Sequence, residues 1–402
     1  MTDCPQALLG VRVAEFGGYA AGPHIGKMLA NFGATVVHVE SRARPDGFRL
    51  QYPPYKEGKP GLDSGGCFAY FNDSKLGVTL DLKNPVGLEL ARRLVANSDV
   101  VIENMRPGVM ARIGLGYEAL RQSNPGLVML STCNMGQTGP RADTPGFGSQ
   151  LTALAGMCHL TGEPDGPPML LYGPYIDFVA STLGAAALLA ALERRRSTGK
   201  GAYLDISQYE CGLMFLAGPL LDHHLNGRVP KRAGNDDPEA SPHGAYSCAQ
   251  GTWLALSCWS DDEFGRLMGA IGQPSLGRDA RDGRRAYARE VDAALDAWLF
   301  GRRAEAAAES LQAAGVHAHA VNTVADLFTD PQLVSRGQWR RRAHPVIGEQ
   351  AYCFPAFDLS ETPGEITGAA PTLGADNHSV FRDLLGLSAA EYAAFETAGA
   401  FE

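Results

Sequence analysis

Asp177 heads a long apolar segment, IDFVASTLGAAALLAALERRRSTG, and of all residues in this 402-residue chain its setting bears most directly on chemistry. A carboxylate at a helix start admits two readings. As an N-cap it accepts a hydrogen bond from first-turn amides; as an ion steadied by the positive helix end it is a nucleophile. The residues alone leave both open. Basic residues recur after successive predicted strands or turns: Arg42, Arg44, Lys75, Arg106 and Arg112. Each alone reads as solvated surface, but the ends of parallel strands converge on one crevice, where gathered cations hold phosphates. Gly17, Gly22 and Glu40 have part of the dinucleotide-binding spacing. Tyr19, however, occupies the place of the middle glycine that admits a pyrophosphate to the backbone. The expectation is a nucleotide-containing ligand held differently at that sheet edge, not a nicotinamide or flavin. His317 and His319 alternate in GVHAHAV without a Cys or carboxylate cluster, and His223 and His224 would splay apart on a helix, so no metal site is expected. Neither a GxSxG elbow nor a P-loop occurs, which leaves hydrolase and nucleoside-triphosphate readings without a motif.

These residues need a frame. Val11–Phe16 is a short β-rich run, Pro23–Phe32 has helical spacing, and Thr35–Glu40 is a second strand. Right-handed crossover makes the two strands parallel. Strand Val78–Leu82, helix Pro85–Ala96 and strand Val100–Glu103 repeat the pattern. Helix Tyr117–Gln122 and strand Leu127–Ser131 repeat it again. The alternation predicts an α/β fold, an open parallel sheet wrapped by helices, with ligands at the carboxyl ends of its strands. Asp177–Arg196 is the strongest helix signal, ending on a basic turn before Gly199. Apolar nearly all round, it is expected to be buried. Strand Tyr203–Ile206 follows. Gly227–Gly244, dense in Pro, Gly, Asp and Asn, reads as a long exposed connection. A smaller unit comes after it, with strand Trp253–Ser257, a capping box of Ser260 and Glu263, and helices near Val291–Leu299 and Arg303–Ala314.

Composition narrows the class. Lys+Arg 35 against Asp+Glu 44 gives a net charge of −9, which argues against broad binding to nucleic acid or anionic membrane. The eight cysteines form no CxxC pair, so a reduced, cytoplasmic protein is expected. The N-terminus has no basic n-region with an apolar stretch behind it. The longest nearly apolar run, Val179–Leu192, falls short of the roughly 20 residues that span a bilayer.

The motifs also carry a resemblance. LLGVRVAEFGGYAAGPHIGKMLANFGATVVHVE is similar to the opening of class III CoA-transferases, the family of formyl-CoA transferase and carnitine CoA-transferase. YFNDSKLGVTLDLKNPVG, DVVIENMRPGVMARIGLGYEAL, GQTGP, ERRRSTGKGAYLDIS, SPHGAYSC, AHAVNTVADLFTDPQL and PTLGADNHSV match in order along essentially the whole chain. ESRARPD, YIDF and ADNHSVF look most like benzylsuccinate CoA-transferase subunits. The resemblance implies a Rossmann-like CoA-binding domain built from residues 1–226 and 331–402. Residues 227–330 would form a linker and a small α+β domain. Two subunits, homodimeric or heteromeric, would thread through each other as interlocked rings.

By the same resemblance Asp177 is catalytic, and Tyr19, Ala20, Ala21, Arg42, Lys75, Asn104, Met105 and Arg112 contact CoA. Ser41 replaces a basic residue found in some relatives, and Asn134 and Met135 replace a Gly-containing stretch. Amides around Gly146, Phe147 and Gly148, or Gly244, would serve the oxyanion. No tightly bound cofactor is implied; CoA is substrate. The implied reaction moves CoA from an acyl-CoA donor such as succinyl-CoA to a carboxylic acid, through an aspartyl anhydride and an aspartyl-CoA thioester. An Asp with its ordinary pKa of about 3.9 would be ionised for this at neutral pH. Two alternatives stand beside it. One is an acyl-CoA racemase or isomerase, against which the absence of a His at residues 146–148 counts. The other is a non-catalytic CoA-binding subunit, against which Asp177 itself counts.

Overall fold

The computed structural model describes residues 6–277 and 284–402. Cys4 and the first five of the N-terminal residues read for a leader lie outside them. The chain divides into two compact units. The first comprises the chain through Cys158, Leu170–Gly227 and Val334–Glu402; the second comprises His159–Met169 and Arg228–Leu333.

Six parallel strands form the sheet of the first unit: β1 (Arg12–Phe16), β2 (Thr35–Glu40), β3 (Leu76–Thr79), β4 (Val100–Glu103), β5 (Val128–Cys133) and β6 (Ala202–Ser207). Their spatial order is β3-β2-β1-β4-β5-β6, the Rossmann-like arrangement, and it reverses direction between β1 and β4. The strands are rich in buried apolar residues because helices cover both faces, with Glu15 of β1 and His38 of β2 as buried polar exceptions. On one face Val13, Val36, Ile102 and Leu130 pack against Ile25 and Leu29 of α1 (Ala21–Asn31) and Leu188 of a long helix, α3 (Tyr175–Thr198). On the other, Ala14, Val37, Val101 and Met129 pack against Leu90 and Leu94 and against Val380 and Phe381 near the C-terminus. The outer strand β3 is not left open. Asp376 accepts from the Gly77 N–H and Asn377 from the Thr79 N–H, each at 2.8 Å, so the PTLGADNHSV segment closes that edge.

Two sequence expectations change here. Helix α3 is long and apolar enough, by length and composition, to cross a membrane. Here Gly184 and Leu188 press on α1 and the sheet and Ile176 packs on Leu151 and Ala155, while Thr182, Ala186 and Leu189 stay exposed. It is a one-sided core helix, not one buried all round. The other change concerns His159–Met169, assigned by sequence to the large domain. The Arg232 guanidinium donates to the carbonyls of His159 and Gly166, and the Gly234 N–H to that of Gly162, which ties the segment into the second unit.

The second unit has an antiparallel sheet, β7 (His243–Ser247), β8 (Trp253–Ser257) and β9 (His317–Ala320), backed by helices Asp261–Ala270, Ala288–Leu299 and Ala304–Ala313. Leu254, Phe264, Leu267, Leu295 and Leu311 are its core. Ser260 caps the first of these helices by accepting from the Glu263 N–H. The reciprocal half of the expected capping box is redirected. Glu263 accepts from the Trp259 N–H at 2.8 Å and the His317 N–H at 2.9 Å, binding strand to helix.

Candidate functional site

The reversal between β1 and β4 opens a crevice at the carboxyl ends of the strands. A cavity of about 760 Å³ occupies it, lined among others by Gly18, Tyr19, Arg44, Leu82, Lys83 and Met105. Its wall after β1 is held from two sides. From β4, Asn104 Oδ1 accepts from the Gly18 N–H at 3.0 Å, and its Nδ2 donates to the Gly18 carbonyl at 2.7 Å. Gly17 is required there, with φ +134 and room for no Cβ, which would stand 1.8 Å from Asn104 Oδ1. From the loop after β2, Asp46 accepts from the Tyr19 N–H at 3.0 Å and the Phe48 N–H at 2.8 Å. Glu40, which has part of the dinucleotide-binding spacing, turns inward; it accepts from the Asp46 N–H and is clamped by the Arg49 guanidinium. Burial pushes the Glu40 carboxyl up, but its bonds to Arg49 outweigh that and leave it below the usual range.

The sequence-selected residues divide. Tyr19 and Met105 line the cavity. Asn104 spends both ends of its amide on Gly18 and shapes the wall. Ala20 and Ala21 are buried at the turn into α1. Arg42 is exposed, with Nε donating to the Phe401 carbonyl, and Arg112 is exposed beside Pro107. Lys75 requires correction. Its residue precedes β3, at the strand's amino end, and its ammonium is sealed inside the unit. Nζ bonds Glu15 at 2.8 Å, the Pro23 carbonyl at 2.7 Å and Asn72 at 2.9 Å. No donor is left there for a phosphate. The cation missed by the sequence reading is Lys83, which follows β3 and lines the cavity with Arg44. The strand-end rule applied at Leu80-Asp81-Leu82 would have found it.

Asp177 connects to Tyr19 through Phe147 and Gly148. The Tyr19 ring stands edge-on to Phe147 at 5.7 Å, and Phe147 precedes α2 (Gly148–Leu154). A Cβ on Gly148 would come 2.1 Å from Asp177 Oδ2, so only glycine lets that turn approach. Asn134 donates to the Gly146 carbonyl at 3.0 Å and steadies the loop from β5. The capping reading of Asp177 does not hold. Pro174 is the N-cap, Asp177 is the third helical residue, and no side chain caps this end. Its Oδ2 is buried without a hydrogen-bond partner. Burial raises the carboxyl from the ordinary aspartate range to about 7, opposed only by its own backbone N–H. The expectation of an unperturbed aspartate is therefore replaced by one that titrates near neutrality. Gly244, the other oxyanion candidate, lies in β7 of the second unit, opposite Leu256.

The GQTGP motif has a structural role beside this site. Gln137 donates to Glu103 at 3.3 Å, accepts from the Gly108 N–H, and its own N–H donates to Asp205, tying the loop after β5 to β4, to the loop after β4 and to β6.

Residues 8–377 match the family model described as CoA-transferase family III. The chain is 35% identical over 388 residues to succinyl-CoA–D-citramalate CoA-transferase of Chloroflexus aurantiacus, covering 96% of this chain and 95% of that one. It is 33% identical over 391 residues to the succinyl-CoA–L-malate CoA-transferase alpha subunit of the same organism, covering 96% and 90%. The crystal structure of a CAIB/BAIF family protein from Brucella suis is similar with a TM-score of 0.86 at 31% identity, covering 94% of this chain and all of that one.

Proposed function

The chain belongs to CoA-transferase family III, and from that membership we propose that it moves CoA from a dicarboxylic acyl-CoA such as succinyl-CoA to a carboxylic acid through covalent intermediates on Asp177. It is an enzyme, a CoA-transferase, with CoA thioesters and acids as substrates. The choice of a dicarboxylic donor rests on the names of the citramalate and malate enzymes it is similar to.

The observation that carries the reading is the Asp177 carboxyl, buried with one oxygen unpartnered against Gly148. An oxygen kept from water and from hydrogen-bond donors is a stronger nucleophile once ionised. It attacks the donor thioester carbonyl and expels CoA thiolate, leaving an aspartyl–acyl anhydride. The thiolate attacks the aspartyl carbonyl, and the donor acid leaves as its carboxylate. The acceptor carboxylate then attacks the aspartyl-CoA thioester, and the released thiolate attacks the acceptor's carbonyl of the second anhydride. Acceptor-CoA departs and the Asp177 carboxylate is restored. The Phe147 N–H is taken by Gln150 at 3.1 Å, so of this loop's amides the Gly148 N–H, next to Asp177, is the one assigned to the developing oxyanion. Trapping tests the scheme: acyl-CoA with hydroxylamine should inactivate the enzyme and leave a hydroxamate on Asp177 by peptide mass. An unmodified Asp177 in inactivated enzyme would place the nucleophile elsewhere.

CoA in this reading lies in the cavity at the β1–β4 reversal, its phosphates against Arg44 and Lys83, with Arg42 and Arg112 at the rim. Lys83→Ala and Arg44→Ala should each weaken CoA binding about tenfold at low ionic strength, less at high salt, with the melting temperature unchanged. Calorimetric titration at two salt concentrations measures this. Equal affinity in both variants and wild type would remove the phosphates from this wall.

A second copy of this chain, or a homologous subunit, completes the assembly we propose, threaded as interlocked rings. The support is an uncovered apolar surface: helix α4 (Ala217–Asn226) has no buried residue, and Met214, Phe215, Leu220, Leu221 and Leu225 before and along it are exposed. The alpha-subunit name of one relative agrees with a multimeric habit. Linked rings separate only by unfolding, so dilution to nanomolar concentration should yield no folded monomer by sedimentation. A folded monomer would exclude the interlocked arrangement.

A further inference from the structure

Tyr19 is held with unusual firmness for a residue at the mouth of a binding cavity. Its φ is +63, in the left-handed region that disfavours a bulky side chain. Two contacts maintain it there. The Asp46 carboxylate receives its N–H with both oxygens, at 3.0 and 3.2 Å. The face of Gly47 receives its ring so closely that a Cβ would stand 2.3 Å from ring carbons. Three aromatic rings surround the ring edge-on: Phe48 at 5.5 Å, Tyr52 at 6.3 Å and Phe147 at 5.7 Å. The hydroxyl donates to Gln51 at 2.7 Å. The Tyr19 residue is part of the cavity wall. Its ring also meets Phe147, whose neighbour Gly148 abuts Asp177.

We propose that Asp46 is a positioning residue, which with Gly47 fixes the Tyr19 ring as a wedge between the nucleotide cavity and the Asp177 loop and so sets where the thioester carbonyl meets the nucleophile. The proposal rests on the reading of Asp177 as nucleophile and of the cavity as the CoA site. The physical reason lies in where binding and reaction occur. CoA is gripped at its nucleotide end, whereas its reacting carbonyl lies at the end of a flexible arm. A rigid obstacle between the two converts grip at one end into alignment at the other. A displacement of the ring by an ångström then lowers the rate of acyl transfer while leaving the phosphate contacts intact.

The test is a double-mutant cycle on Gly47→Ala and Tyr19→Ala, with Asp46→Asn alongside, measuring kcat, KM for succinyl-CoA and the equilibrium Kd for CoA. Wild-type transfer is measured first; if no carboxylic acid accepts CoA from any acyl-CoA offered, the reading of function fails and the wedge with it. With transfer present, Gly47→Ala and Asp46→Asn should each lower kcat about 30-fold while Kd for CoA stays within about threefold. In the Tyr19→Ala background Gly47→Ala should have no further effect, because no ring remains for the new methyl to displace. The wedge is overturned, with the function intact, if Gly47→Ala lowers kcat by the same factor with and without the ring, or if the variants raise Kd and leave kcat unchanged. Should Asp46→Asn fail to fold, the cycle decides alone.

Discussion

Asp177→Asn should abolish CoA transfer, by about 10⁴-fold or more, in a protein at least as stable as wild type. An amide of the same shape cannot form the anhydride, and no cap is lost because Pro174, not Asp177, is the N-cap. Stability should rise for a reason the pKa supplies. Burial raises the folded-state carboxyl to about 7 from its ordinary value of 3.8. A raised acid contributes full stability below its unfolded pKa and loses it as pH climbs through the folded one. Wild-type protein should therefore lose stability relative to Asp177→Asn between about pH 4 and 7, approaching roughly 4 kcal/mol at pH 8. Thermal melts of both proteins at pH 4 and pH 8 check the difference. The rate follows the same ionisation in the opposite sense: kcat/KM of wild type should fall as pH drops through about 7, where an unperturbed aspartate would hold it level to about 4. A variant retaining most activity would remove Asp177 from the reaction.

Lys75→Met should be the most damaging single change to the fold that leaves the apolar core intact. Glu15 is fully buried; burial pushes its carboxyl up, and the Lys75 ammonium with His38, whose Nδ1 lies 2.6 Å away, outweighs that and holds it below the usual range. Deleting one partner of such a pair leaves an uncompensated charge, at a cost of about 3–5 kcal/mol. Denaturant unfolding should show that loss, while the folded fraction keeps its affinity for CoA within a few-fold, in contrast to Lys83→Ala. Adding Glu15→Gln should recover part of the stability, because the stranded charge goes too. Unchanged stability with salt-dependent loss of CoA binding would mean that Lys75 reaches the crevice after all.

The two lysines mark where reading from sequence succeeds and where it stops. Strand and helix alternation through residue 133 was legible because each element carries its own period and turn residues, and the observed ends of β2, β4 and helix Pro85–Ala96 coincide with the expected ones. Parallel pairing and the crevice at the strand ends follow from those elements by handedness alone. The direction of an individual side chain does not. Lys75 and Lys83 flank the same strand and have the same chemistry. One is drawn inward by Glu15, 60 residues away, and the other is left to line the cavity.

Asp177 shows the same division within one residue. Its type, its place at a helix start and the apolar body behind it belong to the local sequence, which is enough to propose either a cap or a nucleophile. Three structural facts decide between them: a helix that begins two residues earlier, at Tyr175; a glycine 29 positions upstream, Gly148, pressed against its oxygen; and a burial that leaves Oδ2 without a donor. Tyr19 could be selected from the sequence, but its contacts with Asp46 and Gly47 arise only where the loops after β1 and β2 meet. Backbone propensity and hydrophobic period act over a few residues, so the sequence by itself determined the order of elements and the edge at which ligand chemistry must lie. Desolvation, charge pairing and close approach act between residues far apart in the chain. The protonation of Asp177, the burial of Lys75 and the wall of the cavity were therefore decided only by the tertiary structure.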